Sequence, residues 1–204
     1  MRRQLLTAVL VLVAIDAAAD KPKFTSSWRS PEASGVRFAG KKVAALVITS
    51  DEHLRVSGEE ELTRQLATRG IQGVPTYRMA PREELTSAER ARPWFERAGI
   101  EGVVALRPVS RETVVTNSPT VWTTSNYSTF WGYYGYGYTT GIDFSGPRSD
   151  TTIVLETLIY SVPLDRLLWG GVSTTFNPKD TETFLKDLVS EAVKEMQKRG
   201  LISK

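Results

Sequence analysis

The sequence predicts an α/β domain built on a mixed sheet of about five strands, in the chain order β-α-β-α-β, an aromatic insertion, then β-β-α. Three observations predict it. The apolar run Lys42–Ile48 has strand length and no polar alternation, as expected of a strand covered on both faces. Helical stretches separate it from further apolar runs, the pattern of parallel strands joined by crossovers. Near the carboxyl end, "TTIVLETLIYSV" and "LLWGGVSTTF" are separated only by "PLDR", which forces an antiparallel hairpin.

The elements follow in order. Residues 20–41 read as a polar lead-in anchored by Phe24 and Trp28. After the first strand, Ser57 and Glu60 have capping-box spacing, Leu62, Leu66 and Ala67 mark one helical face, and Gly70 supplies the stop. "GVPTYRM" reads as a second strand, placed at an edge by Pro75. Thr86 and Glu89 repeat the capping-box spacing; Pro93 is expected to interrupt this helix, which restarts over "RPWFERAG" and stops at Gly99. Val103–Leu106 begins a buried strand that continues as the half-exposed alternation Val109, Arg111, Thr113, Val115. Gly170 and Gly171 in the last strand suggest a bulge or a close backbone approach. Phe184, Leu188, Val189, Ala192, Val193 and Met196 fall at helical spacing in the final element, which Gly200 ends.

The first residues read as an address. Arg2 and Arg3 precede the apolar run Leu5–Ile15, and Ala17 to Ala19 give the small-x-small pattern of a cleavage site between Ala19 and Asp20. The run holds 11 residues, against the roughly 20 a helix needs to cross a bilayer. Residues 1–19 are therefore expected to be a secretory signal, and 42–204 one domain. The chain has no cysteine, which excludes disulfides, thiolate metal sites and thiol nucleophiles and suits a periplasmic location. Its charge of +3 drops to +2 without Arg2, Arg3 and Asp16, so no basic field calls for nucleic acid or an anionic membrane.

Two stretches carry candidate chemistry. "TSDEHLR" lies past the carboxyl end of the first strand, where open α/β sheets place ligands, and brings together Asp51, Glu52, His53 (the one histidine of the sequence) and Arg55. An enzyme of hydrolase type would centre on Asp51, Glu52 and His53; the alternative is a solvated loop in which Arg55 pairs with Glu59. Glu59 to Glu61 fit the negative charge favoured in a first helical turn, and Glu156 is expected on a solvent face of its strand. No metal ligand set and no cofactor is expected. "GVRFAGKK" nearly spells a phosphate loop with Gly35, Gly40 and Lys41, but Lys42 replaces the magnesium-binding hydroxyl and the segment precedes a strand instead of opening a helix.

The second stretch is the Gly/Tyr-rich insertion at 117–148, with Trp122, Tyr127, Phe130, Trp131, Tyr133, Tyr134, Tyr136 and Tyr138. Between Arg111 and Arg148 the charges are Glu112 and Asp143 alone, which excludes a nucleic-acid stacking groove. Three readings stay open: a weakly ordered loop, a surface on which those rings contact a partner, and a membrane-inserting hairpin.

The leader, "KVAALVITSDEHLR", "EEELTRQLATRG" and "LETLIYSVPLDRLLWGGVSTT" before a terminal helix resemble bacterial envelope proteins of the TolB amino-terminal, LpoB and CsgG type. In the hairpin the resemblance rests on Leu158 to Tyr160, Asp165, Leu168 and Trp169. It implies an α/β, non-enzymatic protein that works through contacts with another envelope protein. In the curli-secretion members inserted hairpins build an outer-membrane pore, which carries the third reading of 117–148. Many members are lipoproteins, and this chain lacks the lipid-bearing cysteine. The expectation is an exported, non-catalytic periplasmic protein, contacting its partner through the aromatic segment and the edge of the hairpin sheet, with outer-membrane contact not required.

Overall fold

A computed structural model describes residues 22–109, 121–140, 152–176, 181–198 and 200–202. The leader with Ala19 and Asp20, the alternation at 111–115, and the ends of the insertion at 117–120 and 141–148 lie outside the described residues.

The fold is mixed α/β. Its strands are β1 (Lys23–Arg29), β2 (Lys42–Val47), β3 (Gln72–Pro75), β4 (Gly102–Val109), β5 (Thr152–Ser161) and β6 (Arg166–Phe176). Its helices are α1 (Glu52–Ala67), α2 (Thr76–Met79), α3 (Ala88–Ala98), α4 (Ser125–Ser128), α5 (Phe130–Thr139) and α6 (Thr181–Lys198). One six-stranded sheet runs β1-β6-β5-β4-β2-β3. The pairs β2–β3 and β2–β4 are parallel, and the other three pairs are antiparallel.

Strand β2 is apolar throughout because both its faces are covered. Val43, Ala45 and Val47 join Leu62, Leu66, Leu188 and Val193 under α1 and α6. Ala44, Leu46 and Ile48 join Phe95, Phe130, Tyr133 and Tyr134 under α3 and α5. The sheet thus has one aliphatic layer and one aromatic layer.

The sixth strand, one more than expected, comes from the lead-in. Lys23–Arg29 pairs antiparallel with β6, and Phe24 packs edge-on against Trp169 at 5.1 Å between ring centroids. The outer edge of the hairpin, expected as a contact surface, is therefore covered by β1. Helix α1 starts a turn and a half earlier than the Ser57–Glu60 spacing predicts. Asp51 is the cap, its Oδ1 accepting from the Leu54 amide at 3.0 Å, so "EHLR" is helical and Glu59 to Glu61 sit mid-helix.

Strand β3 is an edge strand, but it stops at Pro75. The Glu59 carboxylate accepts from Thr76 Oγ1 (2.6 Å) and the Tyr77 amide (2.8 Å), and the chain turns into the single-turn α2. Helix α3 is continuous through Pro93, which removes only one amide from the ladder; Ser87, not Thr86, caps it, and Gly99 ends it in a left-handed conformation (φ 67°). Strand β4 is buried along its whole length, Val109 included.

Candidate functional site

The described part of the insertion is neither a loop nor a hairpin. Residues 121–140 form a short 3-10 turn, α4 and α5, laid against the sheet. Thr129 caps α5 through its hydroxyl, which accepts from the Gly132 amide at 3.1 Å. Asp165, from the "PLDR" turn, accepts from the Phe130 and Trp131 amides at 2.9 and 3.3 Å and places a negative charge at the same helix end. Helix α5 approaches β2 closely at Gly137: a Cβ there would lie 2.8 Å from Ile48 Cδ1. Gly170 serves the same purpose in β6, where a Cβ would meet the Trp122 ring at 2.9 Å.

The aromatic rings are core. Trp122, Tyr127, Phe130, Trp131, Tyr133 and Tyr134 are buried, and Tyr136 and Tyr138 are half-buried. Tyr133 stacks on Tyr160 (5.6 Å), Tyr134 donates to the Leu85 carbonyl (2.9 Å), and Tyr160 donates to the Tyr127 carbonyl (2.8 Å). This layer encloses an ion pair. Strand register sets Arg107 opposite Glu156, and Arg107 Nη2 lies 2.7 Å from Glu156 Oε2, with both side chains essentially inaccessible. Tyr127 donates to Glu156 Oε1 (2.8 Å), and Arg107 Nη1 donates to Thr140 (2.6 Å). Burial pulls the Arg107 guanidinium down, but Tyr133 and Glu156 beside it hold it above its ordinary value. Glu156 is thus inside the fold, not on the solvent face expected for it.

The second region lies at the carboxyl end of β2. The chain leaves β2 for β3 on one side and returns to β4 on the other, so the connections diverge there, the place where open α/β sheets hold ligands. A cavity of about 230 Å³ sits at this point, lined by Ile48, Thr49, Ser50, Arg55, Arg82, Leu85, Thr86 and Tyr138. Arg55 grips Glu52 through Nε (3.0 Å) and Nη2 (2.5 Å), while Nη1 is buried with no hydrogen-bond partner in the protein. Arg82 reaches the same carboxylate (2.6 Å) and the Ser50 carbonyl (3.2 Å). The Arg55 hydrogen bond, reinforced by Arg82, holds the Glu52 carboxyl below its ordinary range. Burial pushes the phenol of Tyr138, which lines the cavity, up to about 12. Beneath, Glu59 accepts from the Val47 amide, Thr76 and Tyr77; burial nevertheless raises it above the usual carboxylate range.

Of the residues singled out from the sequence, Arg55 and Tyr138 line this cavity, with Glu52 paired to Arg55. Asp51 is the helix cap, and His53 is exposed. The expected Arg55–Glu59 ion pair is replaced by Arg55–Glu52. Sequence reasoning missed Arg82 and named Thr86 only as a helix cap and Tyr138 only as a contact ring; they arrive from the turn before α3 and from α5. Among the described residues no group of acidic and imidazole side chains could hold a metal ion.

Fold and cavity together define a mixed α/β domain with a small, arginine-lined strand-end site. No family model matches the chain, and no curated protein does. Among solved structures it is similar to a point variant of the PelC dodecamer from Paraburkholderia phytofirmans, at 15% identity and TM-score 0.47 over 84% of this chain and 97% of that one. A second PelC dodecamer from the same organism gives 12% identity and TM-score 0.43 over 88% and 97%. At those values the likeness carries neither activity nor assembly to this chain.

Proposed function

We propose that this is an exported, non-catalytic protein of the cell envelope that acts by contact with another protein. The observation that carries the reading is the fate of the groups an enzyme would use. Asp51 is committed to the α1 cap, Glu52 is held ionised between two arginines, and His53 is exposed. A hydrolase needs a base oriented toward a nucleophile, and no hydrogen bond links these three. The leader at 1–19 and the resemblance to TolB-type envelope proteins support the address, and mass spectrometry of the mature chain is expected to find Asp20 at its start.

The contact surface differs from the one expected, since the rings of the aromatic segment belong to the core. Strand β1 replaces it: outermost in the sheet, with Lys23, Thr25 and Ser27 exposed, it has the form used when a partner adds a strand to a sheet edge. A photo-cross-linker at Ser27, in cells, is the test. Capture of one dominant envelope protein is the expected result. Ladders of the chain with itself would make it an assembly subunit, and an absence of any cross-link from the folded protein would overturn the reading.

A further inference from the structure

We propose that the cavity at the end of β2 is a receptor for a single carboxylate, presented by an acidic side chain or chain terminus of the partner protein. The proposal rests on the contact reading above and names the chemistry of one point of contact. Three observations converge on it. Arg55 is only 6% exposed, lines the cavity, and keeps Nη1 buried without a partner in the protein, although Nε and Nη2 are both engaged. A buried, charged donor left in this state is costly, and an incoming acceptor satisfies it. The cavity opens beside the first turn of the 16-residue α1, where the helix dipole favours negative charge. Thr49, Ser50, Thr86 and Tyr138 also line it.

Charge and size select the ligand. Arg55 and Arg82 share the Glu52 carboxylate, and Glu59 also interacts with Arg55 from beneath. A monoanion adds less negative charge beside these two carboxyl groups than a phosphate dianion does. At about 230 Å³ the space falls below the roughly 300–1,000 Å³ of small-molecule sites. It suits one functional group on a short stem, not a cofactor or a sugar.

The test is a nuclear magnetic resonance titration of the full mature protein, following the Arg55 side-chain Nε–Hε signal and the Thr49 and Ser50 amides. The probes are sodium acetate, inorganic phosphate, a blocked Gly-Glu-Gly peptide, and sodium chloride at matched ionic strength. Saturable shifts are expected with acetate and, more tightly, with the peptide. Arg82→Gln, an exposed position that leaves the fold intact, is expected to weaken both by about fivefold or more. Shifts no larger than those of chloride would overturn the site. Tighter binding of phosphate would overturn the carboxylate assignment, and peptide binding no tighter than acetate would overturn the partner side chain as its source. A failed titration leaves cross-linking at Ser27 unaffected, and failed cross-linking leaves the titration unaffected, so the two readings fall separately.

Discussion

Glu59 and the Arg107–Glu156 pair use similar chemistry to opposite effect. Glu59 is buried without a salt bridge among the described residues, and burial outweighs its three hydrogen bonds and the nearby Arg55 charge, so its folded value is raised. A carboxyl raised on folding contributes stability below its unfolded value of 4.5, which is lost as pH climbs through the folded value. The wild-type melting temperature should therefore fall relative to that of Glu59→Gln as pH rises from 4 to 8, in paired thermal melts; a constant difference would contradict this. Glu156, by contrast, is matched to Arg107. Removing one partner strands the other in the core, so Glu156→Ala is expected to lose about 3–5 kcal/mol in urea unfolding. Arg107→Met combined with Glu156→Met should recover much of that loss.

At the scale of elements, the capped start and the packed face of α5 explain why an apparently low-complexity stretch is helical. Glycine and aromatic residues are poor helix formers, so the helix is held from outside: by Thr129 and Asp165 at its start and by the sheet along its length. Asp165→Ala should lower stability by about 1–2 kcal/mol, and Asp165→Asn by less, since the amide oxygen can still accept. Gly170→Ala would press a methyl into Trp122, and a loss of about 1–3 kcal/mol is expected. These contacts explain which elements were legible. Strand β2, the β5–β6 hairpin and α6 carry their burial in local periodicity, and Gly99 and Gly200 mark the ends of α3 and α6 in plain view. The helicity of 130–139 depends on a carboxylate 35 residues away, which no local pattern encodes. The start of α1 was misread because Asp51 and Ser57 are both competent caps, and only the packing of Arg55 and Glu59 decides between them. The cavity was half-legible for the same reason: the strand end was visible, the convergence of Arg82 and Tyr138 on it was not.

At the scale of the molecule, the aromatic layer predicts resistance to proteolysis. Chymotrypsin is expected to leave the native chain uncut between Trp122 and Tyr138, where the rings are buried or half-buried, and to cut there after urea unfolding. Rapid cleavage of the native protein in that interval would restore the loop reading. The connectivity has a temporal consequence as well. Lys23 is aligned with Thr174, so the first strand to emerge finds its partner only when nearly all the chain has followed. The strand between the two halves of the sheet, β4, likewise meets β5 only after the intervening segment is delivered. Ordering of β1 before then has no hydrogen-bonding partner to offset its loss of entropy. A chain threaded through a channel amino end first would thus keep β1 unpaired until Arg166–Phe176 had followed it.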